Sequence, residues 1–331
     1  MNKILKENLK VKTIFLGTSS GTPTKTRNVS AYVVSEEQSK DWYLIDCGEG
    51  TQHRILHTTV SLLNLKAIFI THVHGDHCYG LPGLVASAGM LGRTAPLTIV
   101  APKGIQELMQ AVIINTDLYL GYEISYVLPE DGMDVFEGET TSVSAIQLSH
   151  RVESYAYKFI ETNVESTLDT KKLVELDIEQ GPLWGKLKNG ETVQLENGDQ
   201  LCGVDFLSVT RKPRSIVVCG DNDNPELLAQ ACVEVDVLIH ESTYTEEVLL
   251  QVGPSVQHCS AERLAKFAER IGVKNLVLTH FSARYSDNES AKFSINMISE
   301  EAKQHYSGNL IMAEDLAVYE LNRRDEYEWL N

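Results

Sequence analysis

The sequence predicts an α/β fold whose functional side chains gather at the ends of β-strands. Short apolar runs typical of buried strands alternate along the chain with longer segments typical of helices. Three of the apolar runs lead directly into histidine or aspartate, at His72, Asp221 and His280. Because functional sites of α/β sheets form beyond the strand ends, we expect one active edge assembled from several strands.

Length and composition favour one α/β domain with an insertion. The chain has 331 residues, more than most single domains, and 43% of them are hydrophobic, which suffices for a sizeable core. The formal net charge of −17 argues against a broad surface that coats RNA, because phosphate binding draws on Lys and Arg. A local basic patch remains compatible with this charge.

Cysteine usage and hydropathy predict a reduced, cytoplasmic protein. The six cysteines are scattered without Cys-x-x-Cys spacing, and the opening residues 1–6 lack an apolar targeting segment. No run approaches the roughly 18 apolar residues that a membrane span requires. We therefore expect neither a disulfide framework nor a membrane span.

The N-terminal half begins with a strand over residues 12–16 and a loop of small residues from Gly17 to Pro23. This loop either borders the site or only connects two strands, and it lacks the lysine and the spacing of a P-loop. Further strands are predicted over residues 31–34, 42–45, 67–70, 97–100, 123–127 and 142–148, and helices over 84–91 and 103–115.

Between residues 161 and 214 the composition shifts towards polar residues. A short helix is predicted over 169–176, and Gly181-Pro182 is followed closely by Trp184, Lys186 and Lys188. We interpret this segment as an inserted arm. Its aromatic and lysine side chains would contact an RNA backbone or a partner subunit, unless the segment is only a solvated excursion.

After residue 214 the alternation of strands and helices resumes. Strands are predicted over residues 215–219, 235–239, 275–278, 309–312 and 317–321, and helices over 225–232, 261–271 and 290–304.

The densest cluster of candidate ligands is His72-Val73-His74-Gly75-Asp76-His77. Alternate side chains of an extended segment share a face, so His72 and His74 can reach one ion. Asp76 and His77, at the turn into a helix, can reach a second. Imidazole and carboxylate together suit zinc or manganese. The spacing excludes a His-Glu-x-x-His zincin motif, which needs both histidines on one helix.

Two further residues fit such a site. His150 follows the strand over 142–148, and the first cluster alone cannot complete two coordination spheres. Asp46 lies at the end of the strand over 42–45, where it either orients a metal ligand or caps a helix.

The ligand pattern resembles the metallo-β-lactamase fold. His72-x-His74-x-Asp76-His77, His150, Asp221 and His280 occur in that order at strand ends. More narrowly, the segments 17–29, 46–52, 75–84, 181–182 and 279–285 resemble ribonuclease Z, the endonuclease family that trims tRNA 3′ trailers. The similarity extends from about residue 11 to 320, nearly the whole chain.

This resemblance implies a four-layer αββα sandwich, a single domain over 1–331, with residues 161–214 as an inserted substrate-binding arm. It implies two zinc ions, for which manganese also fits, and a hydroxide activated by them. The implied ligands of one ion are His72, His74, His150 and Asp221, and those of the other are Asp76, His77, His280 and the shared Asp221.

The resemblance also implies catalytic roles. Asp76 would accept a proton as well as bind metal, and His258 would donate a proton to the leaving 3′ oxygen. Glu241 would orient His258, although it would otherwise be a supporting or helix-starting acid. The arm would grip precursor tRNA, often across a homodimer, through Gly181, Pro182, Trp184, Lys186 and Lys188.

Two departures from the family pattern stand out. Asn222 follows Asp221 where the family more often has Thr, which affects the surroundings of the ligands and not their number. The arm is weakly basic, because acidic residues accompany its lysines.

The predicted function is zinc-dependent endonucleolytic cleavage of precursor tRNA that leaves a tRNA 3′-OH and a trailer 5′-phosphate. The alternative is a di-zinc phosphodiesterase or another hydrolase of small esters on the same site. A non-catalytic RNA-binding protein is disfavoured, because every expected ligand is present.

Overall fold

The computed structural model describes residues 11–36, 40–162, 164, 166–195, 198–209, 211–322 and 326–330. The prediction about residues 1–6 therefore falls outside the described residues. Among the residues described, no helix is both long and apolar enough to cross a lipid bilayer.

The strands are β1 (Val11–Gly17), β2 (Ser19–Ser20), β3 (Ala31–Glu36), β4 (Trp42–Ile45), β5 (Leu65–Phe69), β6 (Leu97–Val100), β7 (Ile124–Val127), β8 (Asp134–Glu137), β9 (Thr141–Leu148), β10 (Ser154–Glu161), β11 (Ser166–Leu168), β12 (Thr192–Gln194), β13 (Gln200–Cys202), β14 (Leu207–Val209), β15 (Ser215–Cys219), β16 (Val237–Glu241), β17 (Asn275–Thr279), β18 (Phe281–Ser282), β19 (Asn309–Met312), β20 (Val318–Leu321) and β21 (Tyr327–Leu330). The α-helices are α1 (Thr51–Ile55), α2 (Gly75–Cys78), α3 (Leu81–Met90), α4 (Ile105–Asn115), α5 (Thr170–Glu175), α6 (Pro182–Lys188), α7 (Glu246–Val252), α8 (Ala261–Ile271) and α9 (Asn296–Lys303).

Two large mixed sheets are formed. The first has the order β21-β20-β1-β3-β4-β5-β6-β7 and is parallel from β4 to β7. The second has the order β19-β17-β16-β15-β10-β9-β8 and is parallel from β19 to β15. Every residue of β15, β16 and β17 is buried, which explains their continuous apolar runs.

The sheets pack on each other through an aromatic core. Phe69 of the first sheet contacts Tyr157 and Phe159 of the second at ring-centroid distances of 5.1 and 5.3 Å. Two further apolar clusters cover the outer faces, one with helices α1, α3 and α4, the other with α8 and α9. The order of layers is therefore helix, sheet, sheet, helix, as predicted.

Most predicted elements occur near their expected bounds, and three helices differ. Helix α3 begins at Leu81 and not at residue 84. Pro82 is tolerated in its first turn, because the N–H groups there have no partner within the helix and the missing N–H of proline costs nothing. Helix α9 starts at Asn296, since the preceding residues pair back through Ser286 N–H to Phe293 O at 2.9 Å. Residues 225–232 contain only a 3₁₀ turn, Pro225–Leu228.

A second compact unit comprises residues 138–142 and 160–214. It contains the paired strands β11 and β14, the hairpin β12–β13, and helices α5 and α6. Its own small core consists of Leu173, Leu187, Val193 and Phe206.

Candidate metal centre

Four of the predicted ligands converge in a first cluster. His72, His74, His150 and Asp221 each offer an atom within 4.8 Å of the others. His150 Nε2 lies 3.2 Å from His74 Nδ1, and Asp221 Oδ2 lies 3.6 Å from the Nε2 atoms of His72 and His150. They come from the segments that follow β5, β9 and β15.

Asp76, His77 and His280 form a second cluster. The Nε2 atoms of His77 and His280 are 3.2 Å apart, and each lies 3.4 Å from Asp76 Oδ2. Asp221 Oδ1 lies 3.4 and 3.3 Å from these two nitrogens, while its Oδ2 faces the first cluster. Asp221 thus faces both clusters, and the structure brings together all seven predicted ligands.

A close backbone approach positions the loop that carries these ligands. A Cβ on Gly48 would lie 2.3 Å from Asp76 O, so only glycine fits where the segment after β4 passes α2. His280 has a φ of 58°, in the left-handed region that side chains rarely adopt. Such strain concentrates at functional sites, because the surrounding fold must stabilise it.

Hydrogen bonds to the far ring nitrogens orient the histidines. His77 Nδ1 is 2.6 Å from Asp46 Oδ2, and His72 Nδ1 is 3.0 Å from Thr71 Oγ1. The contact with His77 places Asp46 where it can orient this ring, one of the two positions that the sequence suggested for it. Partners of this kind determine which ring nitrogen faces a metal.

Thr71 and two further orienting partners were not foreseen from the sequence. His150 Nδ1 lies 2.8 Å from the backbone oxygen of Gln257, and His280 Nδ1 lies 3.0 Å from Thr243 Oγ1. A backbone carbonyl leaves no trace in a sequence pattern. Thr243 closely follows the predicted Glu241, which is the one signal that could have suggested it.

The residues fit a metal centre. Within the described part of the chain, His72 Nε2 is buried and has no hydrogen-bond partner, although it faces Asp221 Oδ2. A buried ring nitrogen without a partner is unfavourable unless a ligand completes it. Nitrogen and carboxylate donors in sets of four match the ligand preferences of zinc and manganese.

Electrostatics also favour cation binding. Burial lowers the pKa of His72 well below its ordinary value, so its ring stays neutral and can donate a lone pair. Burial would raise the pKa of Asp76, but His77 and His280 hold it well below the usual range. Asp76 is therefore an ionised carboxylate at working pH.

His258 and Glu241 form a buried pair beside the centre. His258 Nδ1 lies 3.1 Å from both carboxylate oxygens of Glu241 and 3.7 Å from Asp221 Oδ2. Burial alone would lower the pKa of His258, but the Glu241 carboxylate outweighs it and raises this pKa to about 9. Because Nδ1 faces Glu241, Nε2 is the ring nitrogen left for other contacts.

Glu241 is the last residue of β16 and does not start a helix. Burial would raise the pKa of Glu241, but His258 holds this pKa well below the usual range. Glu241 also accepts a hydrogen bond from the Asn222 N–H at 2.8 Å. The Asn222 side chain also contacts His240 Nε2 at 2.9 Å and accepts from the Ser149 N–H at 3.2 Å. Asn222 therefore joins three strand ends near the predicted ligands.

The small-residue loop borders the site. The Gly21 N–H donates to Asp76 Oδ2 at 2.7 Å. Asp315 holds the same loop by accepting from the Thr18 hydroxyl at 2.8 Å and from the Asn28 N–H at 2.7 Å. The loop is thus more than a connector between strands.

The predicted arm contacts lie in helix α6 and just before it. Gly181, Pro182, Lys186 and Lys188 are exposed. Trp184 is only partly exposed, because it packs against the small core of the second unit and donates from Nε1 to Ile178 O at 3.2 Å. Only part of the Trp184 side chain is therefore accessible to a binding partner.

The layered fold with a histidine–aspartate centre defines a protein of the metallo-β-lactamase fold. The metallo-β-lactamase fold protein YhfI from Bacillus subtilis superposes with a TM-score of 0.64 at 17% identity, covering 94% of this chain and 99% of YhfI. The short form of human tRNase Z has a TM-score of 0.63 at 24% identity, covering 93% and 98%. These likenesses confirm the predicted fold.

Sequence similarity identifies the family. A ribonuclease Z from Pseudomonas putida (strain W619) is 51% identical over 310 residues, which cover 94% of this chain and 96% of that relative. The chain belongs to the ribonuclease Z family and is a metal-dependent nuclease. A family model described as anti-Pycsar protein Apyc1 also matches residues 11–172, just under half of the chain.

Proposed function

We propose that this nuclease cleaves precursor tRNA at its 3′ end, leaving a tRNA 3′-OH and a trailer 5′-phosphate. The observation that carries the proposal is the convergence of seven candidate metal ligands beside the buried pair of His258 and Glu241. This arrangement unites ligands for two cations with a proton donor for a leaving oxygen.

His72, His74, His150 and Asp221 would hold one divalent cation, and Asp76, His77, His280 and Asp221 a second. Bound there, such cations would lower the pKa of a water molecule and neutralise charge on the scissile phosphate. We propose zinc in both positions, with manganese as the alternative that suits the same donors.

The chain's own residues would then move the protons. A water oxygen attacks phosphorus and its proton passes to Asp76, while the bond from phosphorus to the 3′ oxygen breaks. His258 donates its Nε2 proton to that oxygen, which leaves as the tRNA 3′-OH. Glu241 keeps the His258 ring oriented and protonated.

A direct assay tests the cleavage. The purified protein is incubated with a precursor tRNA that carries a 3′ trailer, and both new ends are mapped. We expect a single cut with a 3′-OH on the tRNA and a 5′-phosphate on the trailer. Absence of cleavage, together with rapid hydrolysis of small phosphodiesters, would favour the alternative that the net charge of −17 suggests, a hydrolase of small esters.

Metal analysis tests the dinuclear centre. Because seven side chains form two clusters and Asp221 faces both, elemental analysis of protein purified without chelators should give about two metals per chain. His280→Ala should reduce this value towards one, since it removes a donor from the second cluster only. A firm value of one for the unaltered protein would contradict the dinuclear proposal.

We propose that the arm binds the tRNA through Lys186 and Lys188. Replacing both lysines by glutamine should weaken tRNA binding and lower the slope of its salt dependence by about one per lost contact. Hydrolysis of a small chromogenic phosphodiester should stay unchanged, because phosphate contacts position a substrate without supplying chemistry. Binding titrations at several salt concentrations and initial rates measure both.

A matched control for the arm replaces Lys40 and Lys303, two exposed lysines outside the arm, by glutamine. That variant should bind tRNA as the unaltered protein does. Equal loss of binding in both double variants would show a diffuse charge effect, and loss of small-substrate hydrolysis in the Lys186 and Lys188 variant would make the arm part of the catalytic architecture.

We further propose that the protein is a cytoplasmic homodimer. The free state of its six cysteines supports a reducing compartment. The dimer is supported by an apolar face around α1 and α3, where Leu56, Met90 and Leu91 are 78%, 88% and 61% exposed and border a cavity of 450 Å³.

Charge singles out this face for contact between two acidic chains. Between Glu49 and Glu107 the sequence has one acidic residue, Asp76, although the whole chain has 46. Two copies with a net charge of −17 repel each other least where acidic side chains are missing.

Met90→Asp should therefore convert the dimer to a monomer, because it places a charge in an apolar contact. Light scattering coupled to size-exclusion chromatography measures the mass. Leu250→Asp is the control, since it changes an exposed leucine of α7, outside this face. A monomeric unaltered protein, or a Met90→Asp dimer, would contradict the proposed interface.

A further inference from the structure

Residues 253–260, between α7 and α8, provide two contacts to the site. His258 faces Glu241, and the Gln257 carbonyl accepts from the ligand His150 at 2.8 Å. Gln257 has a φ of 48°, in the left-handed region. A segment with this conformation keeps its place only when its surroundings hold it.

One carboxylate of α9 joins the two ends of this segment, in addition to the Arg263–Glu246 ion pair at 2.7 Å. Glu301 Oε1 accepts from the Glu246 N–H at 2.9 Å, and Glu301 Oε2 accepts from the Glu262 N–H at 3.0 Å. Glu246 is the first residue of α7, and Glu262 is the second residue of α8. Both ends of segment 246–262 are therefore hydrogen-bonded to the Glu301 side chain.

Helix physics favours this contact. The first N–H groups of a helix have no partner within the helix and need an external acceptor. A carboxylate at a helix N-terminus is also favoured by the helix dipole, and Glu301 meets two such termini. The two ends of segment 246–262, which we call its neck, are also joined by the Ala261 N–H, which donates to Tyr244 O at 3.0 Å.

We propose that Glu301 is a positioning residue, which closes the neck of segment 246–262 and thereby places His258 for proton donation. The inference rests on the proposed role of His258. Glu301 touches neither substrate nor ligands, so its effect must reach the reaction through the loop.

The leaving group provides a test that a general loss of stability would not mimic. A proton donor matters for a basic alkoxide, such as the 3′ oxygen of tRNA, and matters little for p-nitrophenolate, which leaves unprotonated. The variants are His258→Ala, Glu301→Ala, Glu301→Gln and, as control, Glu300→Gln at the exposed neighbour. Each is measured on precursor tRNA and on bis(p-nitrophenyl) phosphate, with metal content and thermal melting recorded.

Glu301→Ala should lower kcat on precursor tRNA by about 10- to 100-fold, the range expected when a catalytic group is misplaced, with little change in KM. Its rate on bis(p-nitrophenyl) phosphate should stay within about twofold of the unaltered protein, because no donor is needed there. Glu301→Gln should be intermediate, since its amide oxygen still accepts from one helix. Glu300→Gln should behave as the unaltered protein.

The outcomes distinguish a failure of the positioning role of Glu301 from a failure of the proposed proton donor His258. If His258→Ala shows the leaving-group dependence and Glu301→Ala does not, the positioning role is overturned and the proposed mechanism stands. If His258→Ala shows no such dependence, the proton donor and the inference fall together. Equal losses on both substrates in Glu301→Ala and Glu301→Gln, or a loss of metal, would overturn the positioning role. Glu301 would then support the structure of the whole centre.

Discussion

Asp76→Ala is expected to lower turnover by at least about 1,000-fold on precursor tRNA and on a small phosphodiester alike. Asp76 Oδ2 lies 3.4 Å from the Nε2 atoms of both His77 and His280, so its loss removes a proposed ligand as well as the proposed proton acceptor. Both substrates need the same nucleophile, and so both activities should fall. Initial rates with each substrate at saturating metal measure this effect.

Asp134→Ala provides the control, because it removes an exposed carboxylate of β8 and should leave both rates unchanged. Metal analysis of Asp76→Ala shows how much of the loss follows from a missing ion. Retained turnover on either substrate would mean that the nucleophile arises without Asp76, and the proposed chemistry would have to be abandoned.

His258→Ala should lower kcat on precursor tRNA by about 100- to 10,000-fold, the usual contribution of general acid catalysis. The sign of the pH dependence follows from the donor role. His258 must be protonated, so activity is present below its pKa and is lost as pH rises through it. That pKa is about 9 in the protein alone, and nearby cations would lower it.

Glu241→Gln tests the partner of His258. The Glu241 carboxylate is the largest influence that raises the pKa of His258, so its neutralisation should lower this pKa. The alkaline limb of the pH–rate profile on precursor tRNA should therefore move to lower pH. The same limb should be weak or missing with bis(p-nitrophenyl) phosphate. If the alkaline limb does not move in Glu241→Gln, Glu241 does not set the pKa of the proton donor.

Short-range patterns let the sequence predict most of the fold. The apolar run Ser215–Cys219 and the amphipathic helix Ala261–Ile271 have the predicted bounds, because their pattern depends on residues close in sequence. The resemblance to ribonuclease Z supplied the layer order, and the comparisons confirm it. Strand β10 was missed, although aromatic residues occupy every second position from 155 to 159 and have high β-propensity.

The candidate site divides in the same way. His72, His74, Asp76 and His77 were found as neighbours in sequence, and strand ends suggested His150, Asp221 and His280. The roles of His258 and Glu241 came from the family resemblance alone, because no local spacing links residues 17 positions apart.

By itself, the sequence determined which side chains are available as ligands and on which strands and turns they lie. Only the tertiary structure decided that Asp221 faces both clusters, that the Gln257 carbonyl orients His150, and that Glu301 joins α7 to α8. The physical reason is that these contacts join groups far apart along the chain. Packing of the two sheets and their helices sets such distances, and a local pattern carries no record of them.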